Sequence, residues 1–122
     1  MKLLVIDDNE EIREMVSFFC TSIRVDCTVV NDGKKGLEVI HQNDEFDLIL
    51  LDVGMPDFSG VDIVNSLKQD GVLESKNVVI VTASSDTKIR DEIRNSGVKG
   101  ILKKPYSLKE LTELIEKFRK EV

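Results

Sequence analysis

The sequence lacks the features that would place it in a membrane or on nucleic acid. Its continuous apolar runs are only about 4–6 residues long, far below the roughly 20 residues needed to span a bilayer. Asp7 and Asp8 interrupt the apolar stretch near the amino terminus, which excludes a signal-peptide core. The formal charge is −6, and there is no concentrated basic run. We therefore expect a cytoplasmic protein that neither inserts into a membrane nor binds nucleic acid directly.

Cysteine, proline and aromatic residues are also scarce. The 122 residues include two cysteines, two prolines, one tyrosine and no tryptophan. Cys20 and Cys27 do not have the spacing of a metal or redox motif. Thiols in a chain without an export signal are most simply buried or reduced, so we assign them no function.

What the sequence does contain is a regular alternation of apolar runs with helix-period segments. This alternation is typical of strand–helix units built around a parallel sheet, with right-handed crossovers that place helices on both faces. A chain of 122 residues with 41% hydrophobic content suits one domain with a single core. The predicted strands are Leu3–Ile6, Cys27–Val30, Leu48–Leu51, Val78–Val81 and Lys99–Lys103.

Helical spacing predicts which side chains face the sheet. The stripe of the first helix comprises Ile12, Met15, Val16, Phe19, Cys20 and Ile23, and Phe18 falls off it. The stripe of the fifth helix comprises Leu108, Leu111, Leu114, Ile115 and Phe118. The fourth helix has only Ile89 and Ile93, so we expect it to be the least firmly held. Two capping-box spacings, Ser59 to Asp62 and Ser107 to Glu110, should begin helices three and five.

Acidic side chains stand at the ends of two predicted strands. Asp7 and Asp8 follow the first strand, and Asp52 follows the third. If these strands are adjacent and parallel, the three carboxylates meet at one edge of the sheet, where ligands of such folds bind. Like charges so close together cannot all stay ionised without a cation between them. The sequence therefore predicts a divalent metal at this edge. Thr82 and Lys104 follow the fourth and fifth strands and should lie there too.

Four motifs carry a family resemblance, and they occur in order along the chain. They are Asp7-Asp8, Asp52-Val53-Gly54-Met55-Pro56 with Gly60, Thr82-Ala83, and Lys104-Pro105. Together they resemble the receiver domain of two-component response regulators over essentially the whole chain. The resemblance implies an α/β fold: a flavodoxin-like, doubly wound sheet of five parallel strands in the order 2-1-3-4-5, flanked by five helices. It also implies a single receiver domain over residues 1–122, without an output domain, of the stand-alone chemotaxis or phosphorelay type.

The resemblance further implies a phosphorylation-activated switch. Asp52 would accept a phosphoryl group from a histidine kinase or a histidine phosphotransfer protein. Asp8 and Asp52 would bind Mg²⁺ directly, Asp7 would act largely through water, and the backbone carbonyl of Gly54 would complete the set. Such a chain is a phosphoacceptor domain that assists its own phosphorylation and dephosphorylation rather than an enzyme.

Two further residues complete the implied catalytic set with Asp52. Lys104 would place an ammonium near the phosphoryl oxygens, and the Lys104–Pro105 bond would be cis. Thr82 would donate its hydroxyl to the phosphoryl group and draw its loop along. Ile101 occupies the position where the family usually carries an aromatic ring that moves with this hydroxyl. Gly54 and Ser84, both small, occupy positions that commonly tune dephosphorylation.

The implied output is a surface that a downstream target protein reads. Helix four, strand five and helix five form this surface in the family. They lie in the half of the chain that is mildly basic: residues 62–122 carry 12 basic and 10 acidic side chains, against 5 and 13 in residues 1–61.

Three other functions need consideration. A haloacid-dehalogenase-like phosphatase would need two acids separated by one residue after the first strand, which Asp7-Asp8-Asn9 does not provide. A flavodoxin-like flavin carrier would need hydroxyl and amide donors where this loop is acidic. A pseudo-receiver scaffold that is never phosphorylated is the alternative that the motifs leave open.

Overall fold

A computed structural model of the protein describes residues 1–83 and 87–119, apart from the side chain of Ile89. The predictions made for Ser84 and for the Ile89 half of the helix-four stripe therefore lie outside the described residues.

Five parallel strands form one sheet in the order β2-β1-β3-β4-β5. The strands are β1 (Lys2–Ile6), β2 (Asp26–Val30), β3 (Leu48–Asp52), β4 (Val78–Thr82) and β5 (Gly100–Lys103). Each predicted strand is present, with ends that differ by at most one residue. The predicted doubly wound fold and its strand order are confirmed.

Helices cover both faces of the sheet. The helices are α1 (Glu10–Ser22), α2 (Gly33–Gln42), α3 (Gly60–Gln69), α4 (Thr87–Arg94) and α5 (Leu108–Phe118). Side chains from α1 and α5 pack with one face of the strands, whereas those from α2, α3 and α4 pack with the other. Because both faces are covered, every residue of β3 and β4 is buried, which explains why both strands are apolar up to their last residues, Asp52 and Thr82.

The predicted capping boxes begin α3 and α5. At α5 the Ser107 hydroxyl accepts from the backbone N–H of Glu110 at 3.1 Å, and the Glu110 carboxylate accepts from the Ser107 N–H at 3.3 Å. At α3 the backbone N–H of Ser59 donates to Asp62 at 2.9 Å. These bonds satisfy amides that have no partner within a helix, so they fix where each helix begins.

Two residues assigned to buried stripes are in fact exposed. Met15 in α1 and Leu108 in α5 are 38% and 45% exposed, whereas Val16, Cys20, Leu111 and Ile115 are buried as predicted. Leu108 is the first residue of its helix and lies beyond the cover of the core, and Met15 stands at the margin of its stripe. Phe18 is 81% exposed, as its place off the stripe predicts. A short 3₁₀ helix at Leu73–Ser75 was not predicted.

Strand register determines which residues lie at the carboxyl edge of the sheet. Ile6 pairs with Leu51, so Asp7 and Asp52 occupy equivalent positions at the ends of neighbouring strands. Asp52 pairs with Val81, which places Thr82 one residue beyond it, and Thr82 pairs with Lys103. Asp52 and Thr82 are the last residues of their strands rather than the first residues of the following loops.

Among residues 1–83 and 87–119, none of the helices combines the length and the apolar character needed to cross a bilayer.

Candidate functional site

Three carboxylates meet at the carboxyl edge of β1 and β3. One oxygen from each of Asp7, Asp8 and Asp52 lies within 4.8 Å of the other two. Asp7 and Asp52 are only 3% and 5% exposed, while Asp8 is exposed to solvent. The cluster thus has a buried floor of two carboxylates and a third at its mouth.

Asp7 is held through all four of its polar atoms. Its backbone N–H donates to the Val30 carbonyl at 3.0 Å, and its own carbonyl accepts from the Arg13 guanidinium at 3.1 Å. One carboxylate oxygen accepts from the Asn9 N–H, and the other from the Lys104 ammonium, both at 2.9 Å. Asp7 is therefore fixed in place by groups from β2, from the loop after β1, from α1 and from the end of β5.

The backbone that follows β3 fits closely around Asp52. The N–H of Gly54 donates to Asp52 Oδ1 at 2.9 Å. A Cβ atom at Gly60 would lie 2.8 Å from the carbonyl oxygen of Asp52, and one at Gly54 would lie 3.3 Å from Oδ1. Glycine at position 60 is thus required for the start of α3 to pack against the end of β3.

Lys104 brings one positive charge to the buried carboxylates. Its Nζ lies 2.9 Å from Asp7 Oδ2 and 3.3 Å from Asp52 Oδ2, and 20% of its side chain is exposed. Its backbone N–H donates to the Thr82 carbonyl at 2.8 Å, which holds the end of β5 against β4. The Lys104–Pro105 bond is cis, as predicted.

The net effect of the surroundings raises the pKa of both Asp52 and Lys104. Burial raises the pKa of Asp52 above the usual range, and the charge of Asp7 adds to this, while the Gly54 N–H and Lys104 oppose it. Burial alone would lower the pKa of Lys104, but its hydrogen bond to Asp7 and the charges of Asp7 and Asp52 outweigh that effect and raise it. The lysine is therefore charged at neutral pH and offsets part of the repulsion within the cluster.

Thr82, the predicted reporter of phosphorylation, and Ile101 lie on the neighbouring strands β4 and β5. Thr82 is buried at the end of β4, with 2% of its surface exposed. Ile101 in β5 pairs with Ile80 and packs, half-buried, against the core on the α3 and α4 side. An aliphatic side chain therefore occupies the position at which the family resemblance implies an aromatic ring.

A cavity opens directly beside the cluster. It has a volume of about 420 Å³ and lies between the loop before α2 and the loop before α3, with Asp8, Lys34 and Asp57 among its lining residues. Asp8 belongs to both the cavity and the acid cluster, so the cavity borders the cluster at this residue.

The donor set suits a hard divalent cation. Mg²⁺ prefers oxygen ligands and in proteins is usually bound by one or two carboxylates, with several waters retained. Asp7, Asp8 and Asp52 provide only carboxylate oxygens, and no histidine or cysteine takes part in this cluster. The residues present therefore fit Mg²⁺ by their chemistry and by their spacing.

Comparison with known proteins agrees with this geometry. The sequence model of one protein family, the response regulator receiver domain, matches residues 3–116 of this chain. The chain is 30% identical to the chemotaxis protein CheY of Pseudomonas aeruginosa over 118 residues, which are 96% of this chain and 94% of that protein. It is 29% identical to the response regulator ArlR of Staphylococcus saprophyticus over 110 residues, 90% of this chain, but spans only 48% of ArlR.

A solved structure shows the same relationship. The receiver domain of the Francisella response regulator 1452 has a TM-score of 0.87 and 30% sequence identity, and the match covers 96% of this chain and 94% of that one. The chain therefore belongs to the response regulator receiver domain family. Receiver domains are signalling domains of two-component systems that bind Mg²⁺ at an acidic pocket, and this chain has an acidic cluster formed by Asp7, Asp8 and Asp52.

Sequence reasoning missed one residue of this neighbourhood. Arg13, in the first turns of α1, contacts the backbone of Asp7. The one available signal was a basic side chain close behind the acidic residues Glu10 and Glu11, and that signal is weak.

Proposed function

We propose that this chain is a phosphorylation-activated switch in which Asp52 accepts the phosphoryl group. The observation that carries the proposal is the meeting of Asp7, Asp8 and Asp52 at the carboxyl edge of the sheet, where Lys104 contacts both Asp7 and Asp52. A carboxylate oxygen of Asp52 would form a bond to phosphorus while the bond from phosphorus to the donor's imidazole nitrogen breaks. The product is an acyl phosphate, and the imidazole leaves with the bonding electron pair.

Asp8 and Asp52 would be the direct ligands of Mg²⁺, with the Gly54 carbonyl beside them. When bound, the ion supplies charge neutralisation for the phosphoryl oxygens. Asp7 would act through water, which agrees with the engagement of both its carboxylate oxygens by Asn9 and Lys104. Asp8 is the exposed member of the cluster and the one best placed to receive an ion from solvent.

Lys104 and Thr82 would respond to the new charge. The lysine contacts Asp52 at 3.3 Å, a looser contact than the 2.9 Å to Asp7, so it can move toward phosphoryl oxygens at small cost. The buried hydroxyl of Thr82 would donate to a phosphoryl oxygen and carry the end of β4 with it. Phosphorylation would thereby shift an equilibrium between two conformations of the surface formed by α4, β5 and α5.

The proposed partners are a histidine kinase or a histidine phosphotransfer protein as the donor, and a target protein that reads this surface. Ile93 is the buried apolar anchor of α4 among the side chains described for that helix, whereas α3 buries Ile63, Val64 and Leu67. Elements with few buried side chains shift most readily, so α4 is the element expected to move.

Labelling with a small phosphodonor tests the proposal without any knowledge of the natural kinase. The protein is incubated with acetyl phosphate, with and without Mg²⁺, and phosphorylated protein is separated on a phosphate-affinity gel. We expect Mg²⁺-dependent labelling that Asp52→Asn abolishes and Asp57→Asn, in the exposed neighbouring loop, retains. Equal labelling of the Asp52→Asn variant would contradict the proposal, and absence of labelling in the unchanged protein would favour the pseudo-receiver scaffold.

A second experiment tests the output. Candidate targets are captured from solution with phosphorylated and unphosphorylated protein, and the Asp52→Asn variant serves as the control. We expect target affinity to depend on phosphorylation; equal capture in both states would reject this part of the proposal.

A further inference from the structure

The direction in which Asp8 points depends on a peptide group that a distant side chain holds. The carbonyl of Asp7 and the N–H of Asp8 belong to one planar peptide unit, so any contact that fixes this carbonyl also fixes the plane from which Asp8 departs. Arg13 donates to that carbonyl from α1, with 3.1 Å between the guanidinium nitrogen and the oxygen.

Helix stability does not account for an arginine at this position. Arg13 lies near the amino-terminal end of α1, whose cap is Asn9, and a cation there is unfavourable because this end of a helix is partly positive. Within residues 1–83 and 87–119 the guanidinium forms no ion pair within 4.0 Å, although Glu10 and Glu14 are close along the helix. The contact found for it is the Asp7 carbonyl.

We propose that Arg13 is a positioning residue for the metal site, acting through the Asp7–Asp8 peptide group. This inference rests on the proposed function, because it concerns the same Mg²⁺ site. The carboxylate of Asp7 is already fixed by Asn9 and Lys104, so the arginine is not needed to hold it. Asp8, by contrast, is exposed. The contact described for its backbone is the one that Arg13 makes with the Asp7–Asp8 peptide group.

Two roles for Arg13 predict changes of opposite sign. If the arginine acted only through its charge, its removal would strengthen Mg²⁺ binding, because a positive charge near the site repels the ion. If it positions Asp8, its removal weakens binding despite the lost repulsion, because groups that orient metal ligands typically contribute roughly tenfold or more in affinity. The sign of the change therefore identifies the role.

The test is a calorimetric titration of the unphosphorylated protein with Mg²⁺, so the result does not depend on phosphorylation. We expect Arg13→Ala to bind Mg²⁺ roughly tenfold more weakly than the unchanged protein. Arg13→Lys, which keeps the charge and a donor, should recover part of that loss. Arg119→Ala is the matched control, since it removes the same charge. Arg119 follows the last residue of α5, whereas the end of α5 that is nearest the site lies more than ten residues earlier in the chain.

The outcomes separate the inference from the proposed function. Thermal melting of each variant confirms that the compared proteins are folded, and Arg13→Gln replaces the alanine variant if that one unfolds. Unchanged or tighter Mg²⁺ binding by the folded Arg13 variants, or equal weakening in Arg119→Ala, would overturn the positioning role and leave the metal site intact. A lack of Mg²⁺ binding by the unchanged protein would overturn the metal site itself, and the inference with it.

Discussion

Lys104 lies closer to Asp7 than to Asp52, the proposed phosphoryl acceptor. The distance from Nζ to Asp7 Oδ2 is 2.9 Å, against 3.3 Å to Asp52 Oδ2. Asp7 thus holds the lysine within reach of Asp52 while leaving Asp52 the more loosely paired of the two. Because the same ammonium group offsets both buried charges, Lys104 contributes both to the stability of the domain and to the chemistry proposed for the site.

The first prediction concerns removal of this lysine. Lys104→Ala leaves Asp7 and Asp52 buried without their cation, which should cost about 3 kcal/mol of the free energy of unfolding at neutral pH. Mg²⁺ binding should persist, because no proposed ligand is lost, while labelling by acetyl phosphate should fall. Urea denaturation with and without Mg²⁺ measures the effect. Lys103→Ala, which removes an exposed neighbouring lysine, is the control, and equal stability of the two variants would contradict the prediction.

The second prediction concerns pH. Burial raises the pKa of Asp52, so the folded state binds a proton at this carboxyl more tightly than the unfolded state does. The resulting stabilisation is present below the ordinary pKa of aspartate, about 3.9, and is lost as pH rises through the raised folded value. Asp52→Asn should therefore be more stable than the unchanged protein at neutral pH in the absence of Mg²⁺, and the difference should close in acid.

Urea midpoints measured across this pH range provide the test. Asp57→Asn, which makes the same substitution in an exposed loop, is the control. A difference between Asp52→Asn and the unchanged protein that is independent of pH would mean that titration of Asp52 does not cause it.

The third prediction separates the metal ligand from the fold. Asp8 is exposed, so Asp8→Ala should leave the free energy of unfolding unchanged or raise it, because one negative charge leaves the cluster. Mg²⁺ affinity should fall by more than the roughly tenfold that loss of an outer partner typically causes. Calorimetric titration checks this, with Asp26→Ala, an exposed aspartate at the amino-terminal end of β2, as the control. Normal Mg²⁺ binding by Asp8→Ala would remove Asp8 from the metal site.

The fourth prediction concerns the two loops beside the cavity. A Cβ atom at Gly33 would lie 1.8 Å from the carbonyl oxygen of Phe58, so Gly33→Ala must push apart the start of α2 and the loop before α3. We expect a loss of about 2 kcal/mol in the free energy of unfolding. Gly100→Ala, whose Cβ would meet Val79 at an ordinary 3.6 Å, should be close to neutral. Equal effects of both substitutions would show that the loops are not packed as described.

The sheet could be predicted from the sequence almost residue by residue, for a physical reason. A strand buried on both faces is apolar along most of its length, so runs such as Val78–Val81 are unbroken and the first polar residue marks the end of the strand. How deeply a helical side chain is buried is harder to predict. The spacing of apolar residues gives the direction of a side chain around the helix axis but not its distance from the core. Met15 and Leu108 were placed in buried stripes on direction alone, and both are exposed.

The candidate site could also be predicted only in part. The meeting of Asp7, Asp8 and Asp52 follows from their positions at the ends of parallel strands, and the structure brings them together. Which acid is buried could not be predicted, because it depends on how the chain turns after β1. The contact from Arg13 to the Asp7 backbone depends on the same turn, and no spacing rule predicts a bond from a side chain to a carbonyl six residues earlier.

The most direct test of the account is to find where the phosphoryl group goes. The protein is treated with acetyl phosphate and Mg²⁺, the acyl phosphate is trapped by borohydride reduction, and digested peptides are mapped by mass spectrometry. We expect modification at Asp52, and we expect it to require Mg²⁺. Modification confined to Asp7, Asp8 or any other residue, or none at all in protein that binds Mg²⁺, would contradict it.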